Sequence, residues 1–412
     1  MWRSIFRPEL LFALSTLQAL SPYLFWQFGW GVSISHDNLT YYPIAIWALG
    51  YLCFVTGARL TAKQLPPAPQ YLLAESEPQI RILLMGLIVF IAFQSVWVTR
   101  VYGTLPILSY LRGDGVMDIV TANRMQETSA IGQIGLYDVS MSWMNGLVLL
   151  LLIVLYEKRQ KLTPLAATAL LVIVACNLIN GKRQGVIRAV VYMLCGLGIH
   201  SNSISKAAFR VFSAPRSRLF LAMAAVPFIV LTVYGFGYIA DIRNQGAFSR
   251  DGLTEIIAYQ EYPLLNFEAQ CRDAGFGPYE FNFFYPFQRM LPYKLMKSFS
   301  AAQLDPPVRV EASSPAGFYE DVQWALGPLG IIGLSAGIGM LASYFYSRAL
   351  NSPPHLLIYC QMAFNLFISH SFNEFLILAY FPGVLTVFLL CAPLKFRRRI
   401  LMPVTTLARR PA

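Results

Sequence analysis

GKRQGVIRAVVYMLCGLGI, residues 181–199, sets Lys182, Arg183 and Arg188 at the head of an apolar run. The charge pattern of the whole chain puts that head at the outer end of a membrane helix, opposite the other basic clusters. A cation on the outer face, and another about one turn inside the hydrocarbon, are costly unless something negative meets them. Arginine suits such a meeting: its planar fork of donors matches phosphate oxygens, and it keeps its charge when partly desolvated. Arg188 can also snorkel toward the turn that carries Arg183.

Composition agrees with a membrane setting. The chain has 412 residues, 56% hydrophobic and only 13% charged, with a mean hydropathy of +0.52. A water-soluble domain carries about 25% charged residues. The net charge of +11 therefore reads as a topology signal rather than a nucleic-acid signal. Five of the six cysteines (Cys53, Cys176, Cys195, Cys360, Cys391) lie in apolar runs and only Cys271 in a polar segment, so neither a disulfide nor a metal site is expected. Arg3 and Arg7 precede a long apolar run without a cleavage site, which reads as an uncleaved first span.

Apolar runs near the ~20 residues needed to cross the hydrocarbon occur at 10–28, 41–58, 80–99, 139–156, 162–180, 185–200, 219–239, 323–346, 354–372 and 375–394. The expected fold is an all-α polytopic membrane protein of about ten helices. With the N-terminus inside, the inner pieces are 1–9, 59–79 with Arg81, 157–161, 201–218, 347–353 and 395–412. They hold 19 of the 32 basic residues and four of the 21 acidic ones, against 13 and 17 elsewhere. That bias puts both termini in the cytoplasm. It divides the chain into an N-terminal bundle (1–239, about seven spans), one large outer loop (240–322) and a C-terminal bundle of about three spans with a basic tail (323–412).

The large loop is too long to be a mere connector. It carries 11 acidic and seven basic residues and the aromatic stretch NFFYPFQRMLPY, 282–293, which suits a lipid interface. Its start, 251–262, can form a helix ending before Pro263, and the loop as a whole reads as a lid on the bundle. The RGD in the shorter outer loop 100–138 reads as coincidence, and no internal repeat is evident.

Three constellations bear on chemistry. Arg183 and Arg188 suit a diphosphate at the membrane surface, with Asn180 (i,i+3 from Asn177) placed to orient the Arg183 guanidinium or to bond between helices. Ser369, His370, Asn373 and Glu374 form a polar group in ISHSFNEF between spans nine and ten. If the helix continues, His370 and Glu374 share a face, and either can take a proton; Asn373 reads as a cap or a substrate contact. Arg243 and Arg250 are the loop cations best placed to reach an anionic ligand. Gly327 and Gly330 read as small residues for close helix contact, and Glu320 and Asp321 as caps at a helix start.

The GKRQGVIRAVVYML turn, the large outer loop, and its exit GFYEDVQWALGPLGIIG (317–333) together resemble the Wzy-type repeat-unit polymerases of bacterial O-antigen, capsule and exopolysaccharide synthesis. The likeness covers most of 160–394. It implies a type C glycosyltransferase-like architecture in the inner membrane with a periplasmic site. Donor and acceptor would be glycans on undecaprenyl diphosphate, and no cofactor is implied. A chain-length regulator and a flippase of the same pathway would be its partners. Arg183 falls at the family's arginine position, and Arg243 or Arg250 where it carries a loop arginine. The related O-antigen ligases place a catalytic histidine after their large loop, where His370 lies, although the spacing to the next glycine differs. On this reading Arg183, Arg188 and a loop arginine hold the leaving diphosphate, and Glu374 or His370 acts as base. The rivals are a ligase using the same donor and a transporter of lipid-linked sugar. A transporter calls for ionisable residues deep in several spans and an internal duplication.

Overall fold

A computed structural model describes residues 5–28, 42–64, 71–73, 263–268, 271, 318–349, 353–370 and 396–398, with scattered positions in 82–96 and 168–199. Four long helices dominate: α1 (Pro8–Gln27), α2 (Tyr42–Gln64), α3 (Phe318–Ala349) and α4 (Pro353–Ile368). Proline opens α1 and α4, where its missing N–H is one the helix leaves unbonded anyway. Glu9 in the first turn of α1 and Lys63 in the last turn of α2 complement the helix dipoles. Polar side chains inside the helices bond back to their own backbone. Thr16 Oγ1 donates to the Phe12 carbonyl at 2.9 Å and Thr56 Oγ1 to the Leu52 carbonyl at 2.8 Å, so neither hydroxyl is left without a partner.

Among the described residues two helices are long and apolar enough to cross a membrane, Tyr42–Lys63 and Ala325–Ala349. His355–Ile368 is apolar but shorter. Leu52, Leu60, Leu329 and Leu341 stand exposed on these two helices, an apolar surface that suits lipid.

The tightest packing joins α2 to α3. A Cβ on Gly57 would collide with the carbonyl of Ala336, and one on Gly339 with the carbonyl of Phe54, so backbone rests on backbone at both crossings. Small residues let helices approach this closely where lipid removes any hydrophobic drive to associate. Above the glycines the gap fills with rings: Phe12 stacks on Phe54 at 4.4 Å between centroids, and Trp47 meets Tyr319 edge-on at 4.3 Å.

Contacts along each pair give the helix arrangement. On one side of the Gly327 break Gln323 of α3 meets Tyr42 of α2 and Tyr319 meets Gly50, and on the other side Ala336 and Gly339 meet Gly57 and Phe54. Phe6 and Ser15 match Tyr359 and Ser369, so α1 and α4 run parallel to each other. Helical positions 188–199 lie antiparallel to α4. Arg188 sits over the Phe364 ring, and the Tyr192 hydroxyl donates to Gln361 Oε1 one turn lower. The start of α2, the start of α3, the end of α4 and Arg188 therefore gather at one end of the bundle.

Two sequence expectations change here. Gly327 does more than permit close packing. With φ 63° and ψ −162° it breaks α3 just before Pro328, a conformation only glycine adopts without strain. Gly330 faces Leu326 of its own helix. The described elements are helical apart from one pair of three-residue strands, β1 (Tyr71–Leu73) and β2 (Phe396–Arg398), antiparallel with Leu72 opposite Arg397. They join two segments that the charge bias assigns to the same face.

Candidate functional site: a small cavity holding Glu320 and His370

The C-terminal end of α4 is pinned on two sides. The Ser15 and Ser369 hydroxyls meet at 2.8 Å, the His370 backbone N–H donates to Ser15 Oγ at 3.1 Å, and the Phe318 N–H donates to the Ser369 carbonyl at 2.9 Å. These bonds tie the turn after α4 to α1 and to the first residue of α3. The ISH and FYED motifs, some fifty residues apart in sequence, are thereby neighbours.

Between them lies a small cavity lined by Ala19, Trp47, Pro263, Leu264, Phe267, Tyr319, Glu320 and His370. It has room for about one water molecule. Its roof is a helical turn of the large loop, residues 263–268, all of them buried. An acid and an imidazole line it: Glu320, 1% exposed, and His370, 6% exposed. Neither ring nitrogen of His370 has a hydrogen-bond partner among the described residues. A buried imidazole left without partners costs roughly 1–3 kcal/mol, so water or a ligand is the expected occupant. Tyr319 is fixed from behind by its hydroxyl, 3.1 Å from Ser335 Oγ, which leaves its ring as cavity wall.

Beside the roof, Cys271 is buried and free, and Tyr42 accepts a 3.3 Å hydrogen bond from Gln323. Burial first, then the nearby Glu268 carboxylate, pushes the Cys271 thiol well above the ordinary thiol range, so it is neutral and poorly nucleophilic. Among the described residues no group of His, Cys, Asp or Glu is arranged to hold a metal ion.

The expected site residues divide accordingly. Arg188 is half-buried, with its guanidinium carbon 4.7 Å from the Phe364 ring centroid, a cation–π contact that steadies a charge in an apolar segment. His370 lies six positions further along the same chain segment, at the same end of the bundle. The shared face expected of His370 and Glu374 depended on the helix continuing past His370. Helix α4 ends at Ile368, and Ser369 and His370 form a turn pulled toward α1. Arg183, Asn180, Arg243, Arg250, Asn373 and Glu374 lie outside the described residues, as do 251–262 and 282–293. The helical turn in the loop begins at Pro263, where the sequence suggested a helix would already have stopped.

Sequence reasoning missed Glu320 as a cavity group, reading it as a cap. It also missed Trp47 and the 263–268 roof. The available signal was an acid next to a tyrosine in the first turn of a span, ahead of a Gly-Pro break, which marks a turn facing inward.

No family model, no curated protein and no solved structure matches the chain.

Proposed function

We propose that this chain is a membrane glycosyltransferase that polymerises oligosaccharide repeat units carried on undecaprenyl diphosphate, at the periplasmic face of a bacterial inner membrane. The observation that carries the reading is the gathering of Arg188, His370 and Glu320 at one end of an apolar bundle, beneath a turn of the large loop. Ionisable groups are costly to hold within an apolar bundle, so their gathering there favours a role.

In this mechanism Arg183 and Arg188, with Arg243 or Arg250 from the loop and Asn180 orienting, hold the diphosphate of the donor glycan. They stabilise the negative charge that builds as it leaves. A hydroxyl of the acceptor repeat unit attacks the anomeric carbon, and His370 or Glu374 receives its proton, with Asn373 beside them. The bond broken is the glycosyl–diphosphate bond, so no nucleotide sugar is consumed. Two helices long and apolar enough to cross a membrane, with further apolar runs along the chain, support a multi-pass topology. The basic excess in 1–9 and 395–412 supports cytoplasmic termini. A flippase would deliver the substrates and a chain-length regulator would govern the product.

The test is the length distribution of surface polysaccharide in cells carrying Arg183→Ala. Single-repeat product at normal protein abundance supports the reading. Unchanged long chains sink it, and a complete absence of glycan transferred from the lipid carrier favours the ligase instead.

A further inference from the structure

We infer that the cavity between Trp47, Tyr319, Glu320 and His370 is the acceptor-sugar subsite in its closed form, with Glu320 and His370 together holding the attacking hydroxyl. The inference deepens the polymerase reading and rests on it.

Four observations carry it. His370 is buried and lines the cavity with both ring nitrogens unpartnered among the described residues. A histidine at a packed helix end normally finds a carbonyl or hydroxyl. Here the Phe367 backbone lies close to the ring without closing a well-aligned hydrogen bond, the hydroxyls of Ser15 and Ser369 are bonded to each other, and the His370 backbone N–H is bonded to Ser15. Glu320, from a different helix, lines the same cavity. A carboxylate and an imidazole around room for one water fit a single hydroxyl oxygen, which donates to one and accepts from the other. Two aromatic rings, Trp47 and Tyr319, supply the rest of the wall beside Phe267, and the C–H faces of a pyranose pack on such surfaces. Finally, the roof is one turn of the outer loop rather than a membrane helix.

The step balances as follows. The acceptor hydroxyl oxygen bonds to the anomeric carbon of the donor glycan. The bond from that carbon to the diphosphate oxygen breaks, and its electron pair leaves with undecaprenyl diphosphate. The hydroxyl proton passes to His370 or Glu320 and then to water. Nothing is oxidised or reduced. Glu320 takes the place that helical spacing had suggested for Glu374.

The experiment uses the full chain in lipid nanodiscs and, as probe, undecaprenyl-diphosphate-linked oligosaccharide extracted from cells lacking this chain. Histidine modification by diethyl pyrocarbonate, mapped by mass spectrometry, reads His370 without requiring turnover. The expected result is modification of His370 that the probe slows several-fold. Turnover of the same probe is expected to fall about 10²-fold or more in Glu320→Gln. In Trp47→Ala the KM for the acceptor is expected to rise with kcat little changed. Modification of His370 that the probe does not slow, or full turnover by Glu320→Gln, overturns the subsite. Should Glu320→Gln fail to accumulate, the Trp47→Ala KM and the wild-type protection decide. Loss of polymer in Arg183→Ala with full turnover in Glu320→Gln leaves the polymerase reading standing and removes only this subsite. If the wild-type chain makes no polymer from the probe, that reading falls, and protection of His370 still decides whether the cavity takes a sugar.

Discussion

Ser15 of α1 and Ser369 after α4 share a 2.8 Å hydroxyl–hydroxyl hydrogen bond across 354 residues of sequence. Ser15 also accepts the His370 backbone N–H, so one short side chain both joins two helices and sets where the imidazole begins. Ser15→Ala removes both bonds at a buried point. In detergent or nanodiscs it should lower stability by roughly 1–2 kcal/mol, and a double-mutant cycle with Ser369→Ala should show coupling of about 0.5–1.5 kcal/mol. Additive losses would mean the pair does not hold the turn.

The α2–α3 crossing makes a sharper prediction. Gly57→Val and Gly339→Val each drive a side chain into a backbone carbonyl that cannot yield, and should abolish folded protein on size-exclusion chromatography. Gly333→Ala and Gly337→Ala meet nothing within 4 Å and should be neutral or stabilising by up to ~1 kcal/mol through helix propensity. Four single variants thus separate contact glycines from merely permissive ones.

Arg188 tests whether the cation anchors or acts. Arg188→Leu keeps an apolar contact with Phe364 and should leave protein abundance near normal while polymer formation falls about 10²-fold. Arg188→Lys retains the charge without the flat face that stacks on the ring, and should fall between the two. Long chains at wild-type yield from Arg188→Leu would reduce the residue to an interfacial anchor.

Cys271 gives a pH dependence outside the spans. Its thiol is held above the ordinary range by burial and by Glu268, so the folded form keeps its proton where an unfolded chain would lose it. The associated stability is fully present below about pH 8.5 and declines as pH rises beyond it. Thermal midpoints measured on either side of that value should diverge in the wild type more than in Cys271→Ala. Equal slopes would dismiss the thiol as a contributor.

Among the described residues the helical frame is legible in the sequence, because a long apolar run announces itself by length and hydropathy alone. The runs 10–28, 41–58 and 354–372 coincide with α1, α2 and α4 to within a few residues. The start of α3 does not. The run beginning at 323 is preceded by a further turn, Phe318 onward, joined across the Gly327–Pro328 break. Hydropathy is blind to that break, since glycine and proline also occur within spans. Partnerships were least legible. Nothing local says that Gly57 meets Ala336, or that Glu320 faces the histidine at 370. Such pairings depend on which helices lie side by side, and they emerge only when Ser15 is seen to hold the end of α4.

The order in which the chain is made adds a consequence. Helix α2 presents Gly50, Phe54 and Gly57 to α3, yet about 250 residues separate the two. At roughly 5–20 residues per second the ribosome needs on the order of 12–50 s to deliver the second helix after the first. Throughout that interval the glycine seam is open to lipid or to whatever insertion machinery attends the nascent chain. A substitution that makes the seam stickier therefore threatens biogenesis before it touches the finished protein.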